Sequence, residues 1–352
     1  ISFYTFQTLS YSIDIYRGTL KPTRSFINFA AFVSFFPQLV AGPIERASRL
    51  LPQIENKREF KYEEGVAGLR LILWGMFKKV VVADTCAIFA NDIFANYTEY
   101  SGPTLMLGAV YFAFQIYGDF SGYSDIAIGT AKLFGIQLMT NFKTPYFSRD
   151  IAEFWRRWHI SLSTWFRDYL YIPLGGSRVG KWKSVRNVFV IFLVSGFWHG
   201  ANWTFIVWGG IHAALFLPLL LRGKNRRYTS DTISEGRWLP KGRELLGMAW
   251  TFTMVCVAWV FFRAESVGKA TQYLIHALNP SEILNRPEEL SITVSAFVAA
   301  MLIGDWHSRN DGMPKTWFKP VFIPIRWGIA SVGIWFILKN FASQADFIYF
   351  QF

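Results

Sequence analysis

The 352-residue chain is 52% hydrophobic and 18% aromatic, with only 17% charged residues, against roughly 25% charge in an average soluble domain. With 35 Phe, 15 Trp and a mean hydropathy of +0.23, a water-soluble globule would expose more apolar surface than a monomer tolerates, so a single integral membrane domain over 1–352 is expected. The net charge of +12 is spread through short connections between apolar runs, which argues against a nucleic-acid partner and for contact with membrane lipid. Cys86 and Cys256 lie in apolar stretches without His or Cys at ligand spacing, so neither a metal site nor a disulfide framework is expected. The opening Ile1-Ser2 has no Met and reads as part of a helix, so residues upstream are expected.

A helix crossing the hydrocarbon core needs about 20 mostly apolar residues. In chain order the candidate spans are Ser25–Val40, Val66–Ala90, Pro103–Gly118, Ile126–Met139, Val188–Ala201, Trp203–Leu221, Leu245–Phe262, Ile292–Ile303 and Val321–Phe341. Several are too short or interrupted for a clean crossing, and such backbone is tolerated at membrane depth only where protein or a water-filled cavity covers it. An all-α polytopic protein with broken or re-entrant helices around an internal cavity is therefore expected. Residues 173–186 carry four basic residues and no acid, and 222–243 carry seven basic against two acidic, so both loops read as cytoplasmic. Residues 187–221 then form a hairpin with its tip near Ala201-Asn202-Trp203.

His199 lies inside that hairpin, about 20 Å along a helix from its basic start. An ionisable residue at that depth usually faces a cavity or a partner. Gly196 and Gly200 beside it either let a substrate approach the backbone or simply pack helices. Residues 150–169 read as one amphipathic helix, with Phe154, Trp158, Leu162, Trp165 and Tyr169 on one face, Arg156, Ser163 and Arg167 opposite, and His159 at the border. Its aromatic face either lies in the bilayer interface or lines a cavity. Asp119 and Asp125 lie at the end of an apolar run; Ser121 and Asp125 suit a helix start, while Asp119 is either a capping or turn residue or a partner for a buried His or Arg. His212 and Arg263 stand in or beside spans without a constellation. No phosphate loop, His-Glu-x-x-His or Gly-x-Ser-x-Gly is present. What remains is a buried neutral imidazole, suited to taking a proton from a hydroxyl as it attacks an activated acyl group.

Those residues carry a resemblance. Ile1-Ser2-Phe3-Tyr4-Thr5-Phe6-Gln7, Phe36-Pro37-Gln38-Leu39-Val40-Ala41-Gly42-Pro43-Ile44, Asp119-Phe120-Ser121-Gly122-Tyr123-Ser124-Asp125, Phe154-Trp155-Arg156-Arg157-Trp158-His159-Ile160-Ser161-Leu162-Ser163, Gly196-Phe197-Trp198-His199-Gly200 and the ending Phe347-Ile348-Tyr349-Phe350-Gln351-Phe352 together resemble the membrane-bound O-acyltransferase family, in its bacterial alginate O-acetyltransferase branch. The resemblance implies a ring of tilted, partly broken helices around a central funnel or tunnel, with further helices N-terminal to this chain. It implies that His199 corresponds to the family's catalytic histidine and His159 to its second histidine. Trp155, Arg156, Trp158, Trp198, Asn202 and Asp119 are then the expected substrate-binding neighbours. No bound cofactor is implied; the implied donor is a cytoplasmic thioester such as acetyl-CoA. The implied acceptor is a hydroxyl of an exported polysaccharide, reached directly or through a periplasmic or membrane-anchored partner protein, in a bacterial inner membrane. D-alanyl or longer-chain acyl transfer within the family, and a non-catalytic polysaccharide channel, are the alternatives.

Overall fold

The computed structural model describes residues 3–229, 232–282, 285–309, 323–341 and 347. The motif residues Ile1-Ser2 and Ile348–Phe352 and the start of the last candidate span lie outside the described residues. Among them the chain is all helical: α1 Phe3–Tyr16, α2 Phe26–Val33, α3 Ala47–Glu55, α4 Tyr62–Met76, α5 Asp84–Ala95, α6 Gly102–Leu133, α7 Ile151–Arg157, α8 Ile160–Phe166, α9 Lys181–His199, α10 Trp203–Leu221, α11 Gly242–Arg263, α12 Val267–Ala277, α13 Ile292–Ser308 and α14 Ile323–Asn340. Two of these, α10 and α11, are long and apolar enough to cross a membrane by length and composition.

The longest rods are not among them. α4 runs through a π-helical turn, Phe77–Ala83, into α5, and this unbroken rod over 62–95 lies antiparallel against the 32 residues of α6. At 1.5 Å per residue α6 alone is about 48 Å long, well over the roughly 30 Å of hydrocarbon. The two rods touch through glycine. A Cβ on Gly75 would meet the Gly122 carbonyl oxygen at 2.6 Å, and one on Gly129 would meet that of Gly68 at 2.5 Å, so both contacts require the missing side chain.

Two expectations are corrected here. The span Pro103–Gly118 and the first part of Ile126–Met139 are one helix: α6 passes through Asp119–Asp125 without a break and ends at Leu133, short of Met139, so Ser121 and Asp125 cap nothing. The aspartates stay helical because their charges are met inside, Asp119 by Lys79 at 2.9 Å and Asp125 by Lys78. The amphipathic helix over 150–169 is two helices. It breaks at Trp158–His159, where His159 takes a left-handed conformation with φ of 44° and precedes α8. The break divides the expected aromatic face: Phe154 and Trp158 join the large central core, whereas Leu162 and Trp165 join a separate cluster with Phe6, Phe166 and Trp198.

The hairpin of α9 and α10 forms as read. Its sharp approach explains the glycines: a Cβ on Gly196 would lie 2.2 Å from the Phe205 carbonyl oxygen, so that residue packs the hairpin together. The two basic loops meet on one side of the molecule, where Arg226 Nη2 donates to Ser177 Oγ at 3.2 Å.

Candidate active site

His199 ends α9 and His159 immediately precedes α8, and the Trp198 indole lies between them. The ring centroids of His159 and Trp198 are 6.4 Å apart and those of Trp198 and His199 are 4.7 Å apart. His199 is half-buried, walled by Trp208 at 5.2 Å and Phe262 at 5.0 Å, with Phe205 beyond. His159 is almost fully buried, stacked loosely between Phe3 and Phe142 and edge-on to Phe120 at 4.6 Å. The neighbouring Trp158 packs on Tyr117, Phe142 and Trp259.

The tautomer of His159 follows from its neighbours. Asn141 Oδ1 receives the Ser161 backbone N–H at 3.2 Å. A backbone N–H can only donate, so that atom is the amide oxygen. It also receives Ser161 Oγ at 2.9 Å and lies 3.1 Å from His159 Nδ1. Since the amide oxygen can only accept, Nδ1 carries the proton and Nε2 of the neutral ring holds the lone pair. Among the described residues Nε2 has no hydrogen-bond partner and no exposure. The left-handed backbone at His159, costing about 1 kcal/mol, holds the ring against Asn141; the next amide, Ile160 N–H, donates to the Asn141 carbonyl at 2.9 Å. A second unused donor is near, because Trp198 Nε1 is buried without a partner among the described residues.

The other expected residues scatter. Trp155 donates from Nε1 to His212 Nδ1 at 3.2 Å and packs on Trp208, one ring removed from His199. Arg156 donates to the carbonyl of Asn225 in the 222–243 loop at 2.8 Å, away from the imidazoles. Asn202 caps α10, accepting from Thr204 N–H at 3.1 Å while donating to the Glu265 carbonyl at 2.9 Å. Asp119 belongs to a buried ionic network in which Lys79 also reaches Asp84 at 2.7 Å. Lys78 pairs with Asp125, and Tyr117 donates to Asp305. This network borders a cavity of about 40 Å³ lined by Lys78, Tyr117, Asp125, Thr144 and Asp305, with Phe142 between it and His159.

Asn141, Lys78, Lys79 and Asp305 were not among the residues expected to matter. Asn141 gives no signal, since a lone Asn in a loop is ordinary. The lysines do: Lys78-Lys79 inside the apolar run Val66–Ala90 is costly without buried carboxylates to receive it. Among the described residues no cluster of His, Cys, Asp and Glu is arranged to hold a metal ion.

His159 and His199 thus flank Trp198 beside a broken helix, inside a helical protein built on charge-paired rods. Residues 17–232 match the MBOAT, membrane-bound O-acyltransferase family, and the chain belongs to that family of acyltransferases. It is 40% identical over 377 residues to the probable alginate O-acetylase AlgI of Pseudomonas putida, covering 100% of this chain and 74% of that protein. It is 42% identical over 308 residues to the probable alginate O-acetylase AlgI of Pseudomonas aeruginosa, covering 86% and 56%. It is 36% identical over 403 residues to the peptidoglycan O-acetyltransferase of Helicobacter pylori, covering 100% and 74%. The chain thus spans about three quarters of two of these relatives and little more than half of the other.

Proposed function

We propose that this acyltransferase moves an acetyl group from a thioester donor on the cytoplasmic side, such as acetyl-CoA, to a hydroxyl of an exported, alginate-like polysaccharide, directly or through a periplasmic or membrane-anchored partner. The bacterial inner membrane is its place of work. Alginate and peptidoglycan, the polymers in the relatives' names, are both glycans with free hydroxyls. The observation that supports this reading most is the pair His159 and His199 on either side of Trp198.

The chemistry balances on one imidazole. His199 takes the proton of the acceptor hydroxyl as its oxygen attacks the thioester carbonyl. The tetrahedral adduct collapses with cleavage of the C–S bond, and the proton passes from the imidazolium to the departing thiolate. A base so placed contributes about 10²- to 10⁴-fold. The buried Trp198 N–H is a donor for the carbonyl oxygen as negative charge gathers there. His159, its lone pair fixed at Nε2, accepts a hydrogen bond from the acceptor and orients it. The Trp155–Trp208 wall and the Asp119 network support the pocket.

The test is genetic and chemical together. Cells lacking the protein export polymer that is free of acetyl groups; restoring the wild-type gene restores acetylation, and His199→Ala, present at wild-type level in the membrane, does not. Polymer retained inside the deleted cells would point to a channel instead. Full acetylation by His199→Ala would remove the catalytic role. Alanyl and palmitoyl thioesters supplied beside the acetyl donor separate the other acyl classes.

A further inference from the structure

His212 stands one turn after Trp208 on α10, and their rings are 5.0 Å apart. It receives the Trp155 indole N–H on Nδ1 at 3.2 Å, so Nδ1 holds the lone pair and the proton of the neutral ring is on Nε2. His212 is fully buried, and among the described residues its Nε2 has no hydrogen-bond partner. The same holds for Nε1 of Trp208, which is 1% exposed. Two N–H donors on neighbouring rings are therefore left unused, the nearer of them on the Trp208 ring that lies 5.2 Å from His199. Buried donors are nearly always paired, and in a lipid-embedded core no bulk water comes to satisfy them.

The character of the missing acceptor follows from the surroundings. Phe154, Trp155, Phe192 and Trp259 enclose the pair, and both donors are neutral. Such a wall suits an uncharged carbonyl and penalises a phosphate or carboxylate. The order along the helix supplies direction. His212 lies nine residues from Leu221, where α10 enters the basic 222–243 loop, and Trp208 lies four residues deeper; the Trp208 ring is 5.2 Å from His199. A ligand entering from the basic side meets His212, then Trp208, then the reacting centre.

We propose that His212 Nε2–H and Trp208 Nε1–H bind a secondary-amide carbonyl in the arm of the acyl thioester, a few bonds from its sulfur, and so select donors that carry such an arm. The assignment rests on the thioester-donor reading above and adds a specificity site to it. His212 here is a binding and positioning residue, and the reacting atoms stay with His199.

The test compares two acetyl thioesters in the full-length protein, reconstituted with its acceptor. S-acetyl-N-acetylcysteamine carries one amide near the sulfur, and S-ethyl thioacetate carries none. Wild type is expected to prefer the amide-bearing donor by about 10- to 100-fold in kcat/KM, mostly through KM, each hydrogen bond accounting for about tenfold. His212→Asn retains an acceptor for Trp155 but lacks the Nε2 donor, and it should lower that preference about tenfold; Trp208→Phe should do the same. The ratio is unaffected by a general loss of folded protein, because both donors are read in one preparation. Equal rates for the two donors in wild type, or variants that slow both donors alike, would overturn the amide site while leaving the thioester reading intact. Wild-type transfer from neither donor, with folded protein verified, would overturn the donor reading itself.

Discussion

Asn141 gives the sharpest test of the site because it fixes His159 without touching substrate. In Asn141→Ala the carboxamide oxygen disappears, and three donors lose their acceptor: His159 Nδ1–H, Ser161 N–H and Ser161 Oγ–H. At about 1 kcal/mol for each hydrogen bond, the protein should lose about 3 kcal/mol of stability. The ring is also released to carry its proton on either nitrogen. A bias worth about 1.4 kcal/mol is a factor of ten in the population with the lone pair on Nε2, so transfer should fall about tenfold per folded molecule. Ser161→Ala is the control: it removes one of the three bonds, costs about 1 kcal/mol, leaves the Asn141–His159 pair in place and should keep transfer within about twofold. The assay is acetyl transfer from a labelled thioester in detergent-solubilised membranes, normalised to folded protein by size exclusion, with thermal unfolding in parallel. Undiminished transfer per folded molecule in Asn141→Ala would refute the claim that the His159 tautomer matters. An equal loss in Ser161→Ala would show that the loop, not the imidazole, is responsible.

Glu45, in the connection between α2 and α3, is fully buried and its carboxyl is pushed up to about 7 by burial, against which the Met139 N–H and the nearby Arg49 and Arg46 charges only partly act. Its folded-state value lies above the unfolded one, so the proton favours folding. Stability should fall as pH rises from about 4.5 through 7, by about 3 kcal/mol in all, and Glu45→Gln should flatten that slope in thermal unfolding at pH 5 and 8. Lys79 answers two buried carboxylates, Asp84 and Asp119; Lys79→Met should cost about 3–5 kcal/mol and collapse the folded yield, whereas Asp119→Asn should be milder. Gly75→Ala sets a methyl carbon against the Gly122 carbonyl and should cost about 1–3 kcal/mol in thermal unfolding, while Gly328→Ala, with open space at its Cβ, should cost less than 1 kcal/mol.

The spans that were legible in the sequence are those with continuous apolar runs: α10 and α11 begin and end within three residues of where hydropathy places them. Charge hid the others. A window over Ile116–Met139 sees Asp119 and Asp125 and infers an interruption, because hydropathy cannot know that Lys78 and Lys79 stand opposite on another rod. The break at His159 was hidden for a different reason. Residues 150–169 keep helical periodicity on both sides, and the left-handed residue is held by Asn141 and the connection it belongs to, where Lys143 N–H donates to the Arg157 carbonyl at 2.9 Å. The pairing of His159 with His199 likewise depends on contacts 40 residues apart in sequence, which no local pattern records. What the residues did reveal was that a histidine so deep in an apolar hairpin is a candidate for chemistry, with a packing role as the other reading.

The most direct measurement is a single-turnover transfer experiment with the full-length protein in lipid nanodiscs, using a thioester labelled in its acetyl group and a hydroxyl-bearing glycan acceptor. Wild type should move the label onto the glycan as an ester with release of one free thiol per ester formed, and His199→Gln, equally folded, should slow this by about 10²- to 10⁴-fold. Ester formation at the wild-type rate by His199→Gln, or thiol release by wild type without any glycan ester, would contradict it.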